Sequence, residues 1–185
     1  MNNSLTHAIS ILNTSYKHAL EFGVFKGATL RQIKSSVLPD MKVFGFDSFC
    51  GLPEDWVLQD GRIIKAGAMN AGEIPGIDGV EIFDGWFKDT IPVYLEKAQP
   101  IALLHVDCDL YSSTKEVLWG LNDFILPGTI VVFDEWVYCH EKQFDDHEQK
   151  AFYEWVKAQD RECEFVKFMD TSVCGEERKI VRILK

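Results

Sequence analysis

Two sets of residues in this chain have types and spacings that could do chemistry. The first is Glu-Phe-Gly-Val-Phe-Lys-Gly from Glu21 to Gly27, between an apolar run and a helical stretch. Glycines between a strand and a helix allow a tight turn in which backbone can approach a ligand. The acid at the strand end would repel a pyrophosphate and accept a cationic or hydroxyl-bearing ligand, which points to S-adenosylmethionine rather than a dinucleotide. Asp47, followed by Ser48, lies about 20 residues beyond the first glycine, where an acid commonly accepts hydrogen bonds from ribose hydroxyls. The second set is Asp107, Asp134 and Glu135, each following a strand-like run. If those strands are neighbours, three carboxylates gather at one edge and raise one another's pKa unless a counter-charge is present. A hard divalent cation, magnesium above all, would supply it.

These residues need a scaffold, and the patterning predicts one. Strand-like runs fall at 16–22, 41–46, 80–83, 101–107, 129–133, 163–169 and 179–184, with helical stretches at 28–37, 90–98, 113–124 and 145–158. Alternating strands and helices imply a parallel sheet with helices on both faces. The last two strands have no room for a crossover helix between them and should pair antiparallel. The expected fold is therefore α/β and Rossmann-like: a seven-stranded, mostly parallel sheet with one antiparallel strand near the C-terminal end. The stretch from Gly51 to Gly79, rich in glycine and carrying Pro53 and Pro75, is expected to be a long lid or binding loop.

A length of 185 residues with 46% hydrophobic side chains fits a single domain over 1–185. The net charge of −10 argues against a nucleic-acid partner, since phosphates call for clustered Lys and Arg. No apolar run is long enough to span a membrane, and the N-terminus lacks a signal-peptide pattern, so a cytoplasmic location without a membrane partner is expected. The five cysteines have no C-x-x-C pair, so neither a zinc site nor a disulfide framework is suggested.

Five blocks carry a resemblance: 21–27, 46–56 (Phe-Asp-Ser-Phe-Cys-Gly-Leu-Pro-Glu-Asp-Trp), 85–90 (Gly-Trp-Phe-Lys-Asp-Thr), 105–114 (His-Val-Asp-Cys-Asp-Leu-Tyr-Ser-Ser-Thr) and 127–135 (Pro-Gly-Thr-Ile-Val-Val-Phe-Asp-Glu). In this order the chain resembles the macrocin O-methyltransferase (TylF/MycF-like) family of class I S-adenosylmethionine-dependent methyltransferases. The resemblance implies that Glu21, Gly23 and Gly27 hold the methionine end of the cofactor and that Asp47 and Ser48 hold the ribose. It sets Gly85, Trp86 and Phe87 near the adenine, and Asp107, Asp134 and Glu135 around magnesium, with Asp107 serving both cofactor and metal. Glu135 stands where the antibiotic-tailoring members have Asp; the extra methylene changes the geometry an ion would meet.

The expected reaction is methyl transfer to a hydroxyl of a small molecule, a sugar or secondary-metabolite intermediate, with His147 or His140 as the candidate base and Asp107 catalytic through the ion it would hold. A homodimer is the assembly kept in view. Two rivals remain: a cofactor-binding protein that no longer catalyses, and a nicotinamide-dependent oxidoreductase, for which the G-x-G-x-x-G turn is missing.

Overall fold

The computed structural model describes residues 2–58, 61–136, 147–168 and 178–185. In chain order the elements are α1 (Asn3–Ser10), β1 (His18–Phe22), α2 (Ala28–Ser36), β2 (Lys42–Asp47), β3 (Trp56–Val57), β4 (Ile63–Ile64), β5 (Val80–Asp84) and α3 (Phe87–Leu95). They continue with β6 (Ile101–Val106), α4 (Tyr111–Gly120), a 3-10 turn (Asn122–Phe124), β7 (Ile130–Phe133), α5 (Glu148–Ala158), β8 (Cys163–Phe165) and β9 (Lys179–Ile183).

Seven strands form one sheet in the order β5-β2-β1-β6-β7-β9-β8. The first five are mutually parallel, and β9 runs antiparallel to both β7 and β8. The expected sheet with its one reversed strand is therefore present. Chain direction along the sheet switches between β1 and β6, and the crevice above that point is where open α/β sheets take ligands.

Side-chain alternation along each strand builds two cores. Leu20 and Phe22 of β1, Leu104 and Val106 of β6, and Val131 and Phe133 of β7 pack with Tyr94, Val117, Leu118, Phe152 and Trp155 of α3, α4 and α5. On the other face Ala19, Val43, Leu103, Ile130 and Val132 meet Leu5 and Ala8 of α1 and Leu30 and Ile33 of α2. Gly45 lets α2 settle on β2, since a Cβ there would lie 2.5 Å from Leu30 Cδ2.

The differences from the sequence expectation sit at element ends. Strand β1 starts at His18 rather than at 16, because Tyr16 closes a turn onto the Asn13 carbonyl and its hydroxyl donates to the Pro127 carbonyl. Helix α3 begins at Phe87, with Trp86 at its N-cap, and the expected helix 113–124 is α4 plus the 3-10 turn. The described part of the last helix starts at Glu148; positions 145 and 146 lie outside the described residues. The long loop after Gly51 is not structureless: β3 and β4 pair as an antiparallel hairpin, and Leu52, Trp56 and Leu58 bury themselves against Leu110. No helix among the described residues is long and apolar enough to cross a membrane.

Candidate functional site

A cavity of about 880 Å³ opens above the switch point, at the carboxyl ends of the parallel strands. Gly23, Asp47, Ser48, Trp86, Phe87, Asp107 and Glu135 all line it. One wall comes from the turn between β1 and α2. Gly23 has φ +90°, and a Cβ on it would fall 1.6 Å from the Asp107 carbonyl oxygen, so only glycine lets this turn lie against the end of β6. Gly27, at φ +75°, caps α2 in the left-handed conformation and lies outside the cavity lining.

Asp47 holds this turn in place. Its Oδ2 accepts the Val24 and Phe25 amides at 2.8 and 2.7 Å, and its Oδ1 accepts the Phe49 amide at 2.7 Å. The turn-capping role and the cavity-facing position belong to the same carboxylate: Oδ2 is filled by two amides, while Oδ1 keeps a further lone pair for a ligand hydroxyl. Trp86 presents a partly exposed indole to the cavity beside the more buried Phe87, while Gly85 is not among the residues that line it.

Glu21 does not face the cavity. It is fully buried, accepts the Thr29 hydroxyl at 2.8 Å, and lies 3.3 Å from Nδ1 of the equally buried His105. His105 Nε2 lies 3.6 Å from Asp134 Oδ1, and Asp134 accepts the Arg178 guanidinium through both oxygens and the Asn2 side-chain amide at 3.1 Å. Burial alone would depress the His105 pKa. Asp134 and Glu21 on its two sides overcome this and hold it well above the ordinary imidazole range. Burial likewise works to raise Asp134, but His105 and Arg178 take it down to about 2. Glu21 is raised, chiefly by burial.

The three carboxylates expected to converge do so only in part. Ligand atoms of His105, Asp107 and Asp134 lie within 4.8 Å of one another, while Glu135 lies outside that set. Asp107 is pushed well above the carboxylate range by burial and then by Asp134. Glu135 is raised by burial and by Asp109 and Asp107. His147 caps the start of α5 with its Nε2 3.2 Å from the Val57 carbonyl and its ring edge-on to Trp56. It ties α5 to the hairpin and does not line the cavity. His140 lies outside the described residues.

With this geometry in view, residues 77–167 match the family model described as macrocin-O-methyltransferase (TylF). This stretch is similar to the macrocin O-methyltransferase family. It runs from just before β5 to just past β8, and so includes Trp86, Phe87, Asp107, Asp134, Glu135 and His147. A curated relative, the demethyldecarbamoylnovobiocin O-methyltransferase of Streptomyces niveus, is 37% identical over 60 residues, which cover 32% of this chain and 22% of that protein. The chain thus matches about a fifth of that relative's length. Among solved structures, the O-methyltransferase NovP superposes with TM-score 0.70 at 20% identity over 99% of this chain and 79% of its own. The Bacillus cereus O-methyltransferase, in complex with SAH, gives 0.63 at 16% identity over 98% and 79%. The fold is that of the class I methyltransferases.

Around the TylF-matching strands, spacing alone did not single out two acids. Asp109 follows β6 with φ +61°, is 7% exposed, and lines the cavity; burial and then Asp134 raise its pKa to about 7. It does not cap α4, whose N-cap Leu110 receives no side-chain bond. Glu148 is fully buried, and its Oε2 accepts the Glu135 amide at 3.1 Å. Among the described residues its Oε1 has no hydrogen-bond partner. The Asp-Cys-Asp spacing after a strand was the available signal for Asp109; nothing marks a helix-opening Glu148 as buried.

Proposed function

We propose that this chain is an S-adenosylmethionine-dependent O-methyltransferase acting on a hydroxyl of a small molecule of the sugar or secondary-metabolite class. The observation that carries this reading is the cavity at the sheet's switch point, with the Gly23 turn and Asp47 on one wall and Asp107, Asp109 and Glu135 on the other. The O-methyltransferase activity of the Streptomyces niveus relative supports the same reaction type.

The cofactor fits the first wall. Gly23 offers bare backbone to the methionine end, Asp47 retains acceptor capacity for ribose hydroxyls, and Trp86 and Phe87 provide apolar surface for adenine. In the transfer, the acceptor oxygen forms a bond to the methyl carbon as the carbon–sulfur bond breaks, leaving S-adenosylhomocysteine. The protein's part is to align oxygen, carbon and sulfur and to exclude water. Asp107 lines the cavity beside the glycine turn, which supports its reading as the residue that receives the hydroxyl proton.

A divalent ion would be held by Asp107 and Asp134 with His105 beside them, and would lower the pKa of an acceptor hydroxyl. Arg178 already offsets the charge of Asp134, so an ion would have to share that carboxylate.

Calorimetric titration with S-adenosylhomocysteine, followed by transfer of labelled methyl groups to hydroxylated acceptors in magnesium or in EDTA, tests the proposal. One-to-one binding and label on acceptor oxygen are expected. Absence of cofactor binding would overturn the reading, and equal rates in EDTA would remove the metal from it.

A further inference from the structure

Resting on the methyl-transfer reading, we propose that Arg178 is a resident counter-cation of the site: its guanidinium fork positions Asp134, and a divalent ion entering beside Asp107 has to take one oxygen of that carboxylate from it.

The pairing is built into the sheet. Strands β7 and β9 run antiparallel with Phe133 opposite Lys179, so extending the ladder by one residue sets Asp134 opposite Arg178. Residues opposite each other on paired strands are within side-chain reach. Arg178 Nε donates to Asp134 Oδ1, and Nη2 donates to Oδ2 at 3.2 Å. The two side chains are only 17% and 14% exposed, so water and salt screen the pair poorly.

The two oxygens of Asp134 are not equally engaged. A carboxylate has about four acceptor positions, two on each oxygen. On Oδ1 both are taken, by Arg178 Nε and by the Asn2 side-chain amide, and His105 Nε2 stands 3.6 Å away. Among the described residues, Oδ2 receives Nη2 alone. Oδ2 is therefore the oxygen open to an ion, and Asp107 offers a second hard oxygen in the same cluster of ligand atoms. An ion on Oδ2 would stand against the guanidinium on the same carboxylate, and like charges that close repel strongly where screening is weak. The longer arm of the fork yields: Nη2 leaves Oδ2 while Nε stays on Oδ1. Asp134 thus keeps a cation at every stage, as a largely buried carboxylate requires. Arg178 fixes the carboxylate before the ion arrives and lowers the affinity for the ion by the cost of undoing one arm.

Manganese(II) titrated into the full chain loaded with S-adenosylhomocysteine, with free ion read by electron paramagnetic resonance, tests this. Arg178→Lys keeps the positive charge but loses the fork that spans both oxygens. It should bind manganese at least about fivefold more tightly than the wild type, the equivalent of one hydrogen bond no longer undone. Arg182→Lys, on the same strand but paired with Glu164 at the surface, should leave the affinity unchanged. In the wild type, magnesium should shift the assigned guanidinium NMR signals of Arg178 as Nη2 comes free, a measurement that needs no variant. Manganese binding that is equal or weaker in Arg178→Lys, an equal gain in Arg182→Lys, Arg178 signals indifferent to bound magnesium, or no ion binding by the wild type would each overturn the proposal. Affinity for S-adenosylhomocysteine, measured first, reports separately on the methyl-transfer reading: if the cofactor product binds and the manganese affinities do not differ, only the role of Arg178 falls.

Discussion

Asp47 illustrates how one side chain can serve architecture and ligand together. Three backbone amides converge on it, so Asp47→Ala should cost about 2 kcal/mol in a urea titration and weaken S-adenosylhomocysteine binding in calorimetry as the turn loosens. The opposite end of the sheet holds a different kind of buried polar residue. His18 Nδ1 lies 2.8 Å from the Tyr94 hydroxyl, and burial with Lys42 and Lys97 depresses its pKa to about 4. Because that value is below the unfolded one, the contribution of His18 is complete above about pH 6.5. It is lost at about 1.4 kcal/mol per pH unit as pH falls toward 4. The stability difference between wild type and His18→Gln, followed by chemical denaturation from pH 7 to 4, should show that slope; a flat difference would contradict it.

At the scale of elements, two contacts hold the site together. Gly23→Ala places a Cβ 1.6 Å from the Asp107 oxygen in a left-handed backbone, and should destabilise by more than about 3 kcal/mol. Gly72→Ala, equally left-handed but with open space around it, should cost only about 1 kcal/mol. Arg178, just before β9, pairs with Asp134, just after β7. Arg178→Ala should lose about 3 kcal/mol by leaving a buried charge under-compensated, and adding Asp134→Asn should recover part of it. The strands were readable because apolar runs of five or six residues announce themselves, as in Ile101–Val106. The hairpin was not, since two-residue strands such as Trp56–Val57 carry no period. Asp47 and Asp107 could be found because a strand end fixes where its next residue points. The Arg178–Asp134 pair and the Glu21–His105 contact join residues 44 and 84 positions apart, and no local pattern encodes such partners.

For the molecule as a whole, the acids around the cavity make folding and binding interdependent. Asp109, with a folded pKa of about 7, binds its proton more tightly in the folded state than in the unfolded chain. Its contribution is therefore present at low pH and declines as pH rises from about 4 toward 7. Asp109→Asn should flatten that decline in a pH series of unfolding curves. The same logic predicts that S-adenosylhomocysteine at about a hundred times its dissociation constant adds about 2.7 kcal/mol of stability, visible as a raised melting temperature.

The seam where Gly23 rests on the Asp107 carbonyl has a consequence for divergence. The span from donor turn to acidic edge is set by main chain against main chain, so it acts as a fixed gauge that side-chain substitutions cannot stretch. The segment carrying Leu52, Glu54 and the hairpin reaches that gauge through side chains, by its packing on Leu110 and its bond to Ser112. Drift in that segment can retailor which molecule is admitted while the reach between the two walls stays constant.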